Sequence, residues 1–126
     1  MNNNEEKFII AKQLHSSGRI KEAQNIYLKL SKIYKKNHLL FYLLGTTFLQ
    51  QKEYNKAIKE FEISLKHNSN YPETYNNLGI ALAEKEIYSE ALINYGKAIE
   101  IRNDFIDAYL NRGISLNKLE KYQDAI

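Results

Sequence analysis

Apolar side chains recur at helical spacing along almost the whole chain, with polar residues between them. From Ile20 to Lys36, for example, they include Ala23, Tyr27 and Leu30. This spacing places them on one face of an α-helix and predicts an all-α protein. Seven helices and the first turn of a truncated eighth are predicted. Their approximate ranges are 5–17, 20–36, 38–51, 54–67, 72–85, 88–101 and 106–119, with the eighth starting at residue 122.

The helical pattern repeats with a fixed step of 34 residues. Two series of small residues keep this register, and their members are Gly45, Gly79 and Gly113, and Ala23, Ala57, Ala91 and Ala125. A series of tyrosines keeps it as well, at Tyr54, Tyr88 and Tyr122. A fixed period of this length indicates an array of stacked helix pairs, in which each pair buries its apolar face against its neighbours.

The unit from Tyr71 to Asp104 resembles the tetratricopeptide repeat. The residues that carry the resemblance are Tyr75, Leu78, Gly79, Leu82, Tyr88, Ala91, Tyr95 and Ala98. The resemblance implies a right-handed superhelical solenoid of antiparallel helix pairs with about three and a half repeats. The repeats are expected at approximately residues 4–37, 38–71, 72–105 and 106–126, the last one truncated, and residues 1–4 are expected to be disordered.

Two features of the family's pattern are missing. The proline that usually ends each unit is replaced by Lys35, Ser69 and Asn103. The glycine of the turn between the two helices of a unit is present only as Gly18. Since the register of the other positions is unchanged, the resemblance still covers nearly the whole chain.

The small residues have a structural reason. Gly45, Gly79 and Gly113 are predicted to lie where the first helix of a unit crosses its partner, and the alanines at the same crossing on that partner. Without bulky side chains there, two helices can approach to the short end of the usual separation of about 8–10 Å.

Composition narrows the possible functions. The 126 residues include 18 Lys and Arg and 15 Asp and Glu, a balance that does not favour nucleic acid as a partner. There is no cysteine, and the three histidines occupy unrelated repeat positions, so no metal site and no cofactor are expected. No apolar run reaches the roughly 18 residues of a membrane span. The polar start of the chain lacks a signal-peptide pattern, so a cytoplasmic location is expected.

Motifs that carry catalytic chemistry are not found. The sequence has no nucleophile elbow, no phosphate-binding loop, no zinc-protease motif and no dinucleotide-binding glycine run. Glu84, Glu86 and Glu90 are interpreted as an exposed acidic surface. The chain is therefore not expected to be an enzyme.

The resemblance places the candidate binding site on the first helices of the repeats, which line the concave groove of such arrays. The predicted groove residues are Lys12, Tyr42, Thr46, Asn76, Asn77, Ile80 and Asn111. In arrays like that of O-linked N-acetylglucosamine transferase, one asparagine per repeat holds the backbone of an extended peptide. Asn77 and Asn111 occupy that position in consecutive repeats, whereas Leu43 does not continue the series. A side-chain amide suits this role because it both donates to and accepts from a peptide group.

A second mode of the family, the carboxylate clamp of chaperone adaptors, is not favoured by the residues. Only Asn77 matches it, while Leu43 and Asp107 stand where asparagine or lysine is needed. The sequence thus predicts a scaffold that binds an extended or helical protein segment. The alternative is a substrate-docking or oligomerisation module of a larger enzyme of the glycosyltransferase or methyltransferase kind, truncated at Ile126. Self-association through an uncapped last repeat is also expected.

Overall fold

The computed structural model describes residues 2–125, and these form seven α-helices and no strand. The helices are α1 (Asn3–Ser16), α2 (Ile20–Ser31), α3 (His38–Gln50), α4 (Tyr54–His67), α5 (Pro72–Glu84), α6 (Tyr88–Ile101) and α7 (Ile106–Ala125). The predicted all-α architecture is confirmed, and α4 and α6 begin and end where the sequence pattern places them. The chain divides into two compact units, Met1–His67 and Asn68–Ile126.

In the first unit, α1 packs against α2, α2 against α3, and α3 against α4. The side chains at these contacts are both large and small, and the buried apolar ones include Ala11, Ala23, Tyr27, Leu30, Leu40, Leu44, Ala57 and Phe61. In the second unit α6 packs against both α5 and α7, and α5 also touches α7. Its buried apolar residues include Leu78, Ala81, Leu82, Ala91, Tyr95 and Ala98.

Two of the three register glycines lie at close helix crossings, as predicted. A Cβ built on Gly45 would lie 2.6 Å from Cε1 of Phe61, and one on Gly79 would lie 2.5 Å from Cε1 of Tyr95. Both rings are buried. The absence of a side chain therefore lets an aromatic ring of the second helix lie directly on the backbone of the first.

The prediction of a helix crossing at Gly113 is wrong. No atom of residues 2–125 outside its own helical backbone and chain neighbours lies within 4 Å of a Cβ built there. At Gly45 and Gly79 the neighbour is the ring of Phe61 or Tyr95, whereas no ring of the described residues lies against Gly113. The glycine lies on an open face of α7.

The start of the chain also differs from the prediction of a disordered segment. Residues 3 and 4 already belong to α1, with Asn2 as its N-cap. Oδ1 of Asn2 accepts from the backbone N–H of Glu5 at 2.8 Å, and the Glu5 carboxylate accepts from the backbone N–H of Asn2 at 3.3 Å. This reciprocal capping box satisfies two helix-end donors and extends the helix over residues expected to be frayed. Met1 lies outside the described residues.

The turn between the helices of a unit uses the left-handed backbone conformation at one register position. Gly18 has φ +85°, Lys52 +62° and Glu86 +64°. The fourth member of this series, Glu120, remains helical inside α7. The predicted break before residue 122 is therefore wrong, and no separate eighth helix begins within residues 2–125. A left-handed non-glycine residue costs about 1–2 kcal/mol, and in α7 no packed second helix offsets that cost.

At two positions where the family usually has a proline, a tyrosine hydroxyl binds the backbone carbonyl of the residue found there instead. The hydroxyl of Tyr75 donates to the carbonyl of Ser69 at 2.8 Å, and that of Tyr109 donates to the carbonyl of Asn103 at 3.1 Å. Ser69 and Asn103, which replace the usual proline, are thus each hydrogen-bonded through the backbone carbonyl to a tyrosine of the following helix, and the two tyrosines occupy the same register position.

Helix α2 ends five residues earlier than predicted. Lys35 and Lys36 therefore lie in the connection to α3, which begins at the cap formed by Asn37, whose Oδ1 accepts from the backbone N–H of Leu40 at 3.2 Å.

Candidate functional site

The three predicted groove residues of the first unit lie on α1 and α3. Lys12 is exposed, and its Nζ lies 4.9 Å from the centroid of the Phe8 ring. Tyr42 is half-buried with its ring centroid 6.2 Å from that of Phe61. Thr46 is half-buried and donates its hydroxyl to the carbonyl of Leu43 at 2.6 Å. Tyr42 is therefore part of the packing around Phe61, whereas Lys12 presents its ammonium group to solvent.

In the second unit, α5 and α7 bring the predicted amides together. Nδ2 of Asn111 donates to Oδ1 of Asn76 at 3.2 Å. Asn76 is only 6% exposed, whereas Asn77 and Asn111 are half-buried. Asn76 is thus a structural residue that orients Asn111. The hydrogen bond uses one of the two N–H groups of Asn111, and neither its second N–H nor its carbonyl oxygen takes part in this bond.

A pocket of about 300 Å³ lies beside these amides, between α5, α6 and α7. The predicted groove residues Ile80 and Asn111 both line it. The other lining residues are Ala83, Glu84, Glu86, Tyr88, Tyr95, Ile114, Ser115 and Lys118. Its lining combines apolar side chains, tyrosine rings, a serine hydroxyl and charged groups.

Two buried tyrosines, Tyr27 of α2 and Tyr95 of α6, are strongly shielded from water. Burial raises the pKa of Tyr27 to about 12. Burial also raises the pKa of Tyr95, while a hydrogen bond from Ser115 opposes the rise and the nearby Glu84 carboxylate adds to it. Both hydroxyls are therefore neutral donors or acceptors at physiological pH.

Charge is distributed unequally between the units. Residues 1–67 contain 12 Lys and Arg and six Asp and Glu, a difference of +6, whereas residues 68–126 contain six and nine, a difference of −3. One acidic group of the second unit is already paired, because Glu73 forms an ion pair with Arg102 at 2.5 Å. The first unit is therefore net positive and the second net negative.

Sequence reasoning did not identify several pocket residues. Ser115 was missed because a serine inside a helix gives no signal by itself. The repeat pattern includes Tyr95 but predicts no partner for its hydroxyl. A register comparison of positions 47, 81 and 115, which read Thr, Ala and Ser, would have marked Ser115 as polar at a buried position.

Residues 2–125 show no group of three histidine, aspartate or glutamate side chains placed to hold a metal ion. Within the same residues, no helix is both long and apolar enough to cross a membrane.

Two family models match the chain. Residues 45–86 match a model described as "TPR repeat", and residues 72–105 match one described as "Tetratricopeptide repeat". Neither description names a catalytic domain. No curated protein sequence matches the chain.

Solved structures of the same architecture superpose closely. A crystal structure of MamA has a TM-score of 0.89 at 24% identity, with 94% of this chain and 70% of that chain covered. The first TPR of Spaghetti (RPAP3), bound to the HSP90 peptide SRMEEVD, has a TM-score of 0.89 at 17% identity, with 93% of each chain covered. The Sgt2 TPR domain from Aspergillus fumigatus has a TM-score of 0.89 at 15% identity, with 98% and 83% covered. At these identities the likeness establishes a shared fold.

Proposed function

Because the chain belongs to the tetratricopeptide-repeat family, we propose that it is a protein-interaction module that binds an extended or helical segment of a partner protein. The first helices of its repeats supply the contacts, through the faces of α1 and α3 in one unit and of α5 and α7 in the other. The RPAP3 domain, which shares the fold, is bound to a peptide.

The observation that carries the proposal is the pair of amides one repeat apart. Asn77 on α5 and Asn111 on α7 lie in the same compact unit, and Asn76 fixes the orientation of Asn111 through its hydrogen bond. Fixed amides recognise peptide groups at a low entropic cost, because their rotamers are already restricted before binding. A segment bound in this way is recognised mainly through its backbone, which allows varied side chains.

The experiment starts from a displayed peptide library selected on the full chain, with affinities of the recovered peptides measured by calorimetry. Asn77→Ala is expected to weaken binding by about 2- to 13-fold, since one lost amide contact matters by roughly 0.5–1.5 kcal/mol. Asn111→Ala is expected to weaken it at least as much. The Asn77 variant is the more informative of the two, because Asn111→Ala also removes the partner of buried Asn76.

Asn94→Ala is the matched control, because this amide of α6 donates only to the Glu90 carbonyl of its own helix, at 2.9 Å. The HSP90 peptide SRMEEVD serves as a second control. It should not compete, because Leu43 and Asp107 occupy positions that a carboxylate clamp requires to be asparagine or lysine. Recovery of no peptide, or equal affinity of the Asn77 and Asn94 variants, would refute the proposal.

We also propose that α7 contacts a second copy of the chain. Gly113 lies on an open face of this helix, flanked by Tyr109 at 41% and Leu116 at 45% exposure. At Gly45 and Gly79 the same register position is covered by an aromatic ring. A two-fold contact between α7 helices can supply such a ring from Tyr109 or Tyr122 of the second copy.

A further inference from the structure

One register position differs between the repeats in the size of its side chain, and a pocket opens where that side chain is small. Its members in the first three repeats are His15, Leu49 and Ala83. In the first repeat the imidazole of His15 lies between two polar partners, with Nδ1 3.2 Å from Oη of Tyr27 and Nε2 2.7 Å from Oε1 of Gln50. The ring also packs edge-on against Tyr27, with the centroids 5.7 Å apart. This side chain fills the space in front of the buried tyrosine.

In the third repeat the same place holds only the methyl group of Ala83. Tyr95 is the register equivalent of Tyr27, and Lys118 is that of Gln50. Both line the 300 Å³ pocket together with Ala83. The pocket therefore lies where a side chain stands in the first repeat, and its volume is at the low end for ligand sites, which suits one side chain rather than a larger molecule.

We propose that this pocket receives one basic side chain, an arginine or a lysine, of the bound partner segment; the inference rests on the peptide binding proposed above. The occupant replaces from outside the side chain that Ala83 lacks. Its aliphatic stem lies along Ile80 and Ile114, and its cationic head points to the tyrosines and carboxylates of the lining.

The charges of the lining favour a cation. Glu84 and Glu86 contribute two carboxylates and Lys118 one ammonium group, so the lining is net negative. The face of Tyr88 and the hydroxyl of Tyr95 add groups that attract a cation or accept a hydrogen bond. The second unit already uses such pairs, with Lys97 5.7 Å from the ring centroid of Tyr75 and Arg112 5.2 Å from that of Tyr109.

The test uses three small probes that differ at one group: the N-acetyl methylamides of arginine, citrulline and glutamate. Citrulline has the shape of arginine without its charge. Binding to the full chain is followed by backbone amide shifts in a nitrogen-15 correlation spectrum. The arginine probe should shift residues 83–88 and 111–118, and citrulline should bind at least about fivefold more weakly, because the charge-assisted contact is lost.

Variants of the lining residues test whether the pocket binds a basic side chain, because some should weaken arginine binding and one should strengthen it. Ala83→Leu introduces the residue of the second repeat, should raise the melting temperature by about 2–5 °C through cavity filling, and should abolish the shifts. The double variant Glu84→Gln with Glu86→Gln should weaken arginine binding, whereas Lys118→Gln should strengthen it. A well-folded Ala83→Leu chain with unchanged binding would overturn the inference.

The remaining outcomes are also decisive. Equal binding of arginine and citrulline, preference for glutamate, or no shift with any probe at concentrations of tens of millimolar would each overturn the basic-side-chain assignment. None of these would affect the library experiment, because peptides without a basic residue can still depend on Asn77. Conversely, a chain that binds the arginine probe but selects no peptide would refute the proposed function while retaining the pocket.

Discussion

At the scale of single residues, the contrast between Gly79 and Gly113 gives the sharpest prediction. Gly79→Ala should destabilise the protein by about 1–2 kcal/mol, because overpacking costs about 1–3 kcal/mol and the gain in helix propensity offsets only part of it. The Tyr95 ring cannot yield easily, since it is buried and its hydroxyl is bonded to Ser115. Denaturant unfolding measures the loss.

Gly113→Ala is the matched control at the next register position. Nothing in the described part of the chain meets its new methyl group, so the change should be neutral or stabilise by up to about 1 kcal/mol through helix propensity. Equal destabilisation by the two substitutions would mean that the ring contact at Gly79 is not what sets the cost.

The sequence predicted single residues well where equivalent positions of two complete repeats have the same role. Gly45 and Gly79 belong to complete units, and both lie at a close helix crossing as predicted. The atoms nearest to them, however, belong to the rings of Phe61 and Tyr95 and not to the alanines expected at that crossing. The register could not predict that Asn76 is buried and Asn111 is its hydrogen-bond donor. Helical spacing tells on which face an amide lies, but the depth of burial depends on the neighbouring helix and on the size of every side chain between them.

At the scale of elements, the turns between paired helices carry a local cost that glycine would remove. Lys52 and Glu86 have the left-handed conformation that Gly18 adopts at the first turn. Lys52→Gly and Glu86→Gly should each stabilise the protein by about 0.5–1 kcal/mol, since the relief of about 1–2 kcal/mol exceeds the extra entropy of glycine in the unfolded chain. Thermal unfolding should show a higher melting temperature for each variant.

Lys59→Gly is the control, because Lys59 is an exposed residue inside α4, where glycine should lower the stability of the protein. It should cost about 1 kcal/mol. If the turn variants lose stability as the helix variant does, then the side chains of Lys52 and Glu86 make contributions that outweigh the backbone cost.

The helices themselves were largely predictable because their apolar spacing is strong and their ends coincide with the repeat period. Prediction failed at α7, where the turn position Glu120 stays helical. The repeat pattern predicts the turn that forms when the second helix of a pair packs against the first. Around Glu120 no such packing is seen in the described residues, and the segment follows its own helix propensity.

At the scale of the whole molecule, the open face of α7 predicts concentration-dependent association. Sedimentation velocity over about 10 µM to 1 mM should show a monomer–dimer equilibrium, because exposed apolar surface favours a partner. Leu116→Glu should abolish it. Ile93→Glu is the control, since Ile93 is 58% exposed but lies on α6, whereas Gly113 lies on α7. A single monomeric species at every concentration, or equal loss in both variants, would contradict the assignment.

The fold of the whole chain was predictable from the 34-residue period, whereas the pocket was not. The period is carried by many positions at once and survives the loss of the prolines and turn glycines. The pocket depends on one substitution, an alanine where the first repeat has His15, and its chemistry depends on residues from three helices. Only their packing shows that the space is open.

The rings that lie on Gly45 and Gly79 have a further consequence for motion. We expect Phe61 and Tyr95 to rotate slowly about their Cβ–Cγ bonds, because each ring is buried and lies against the backbone of the facing helix. A brief separation of the two helices should make room for each flip. The flip rates of Phe61 and Tyr95 therefore report how often one helix pair in each unit opens. The ring of Tyr122, which is 58% exposed, supplies the reference rate for comparison.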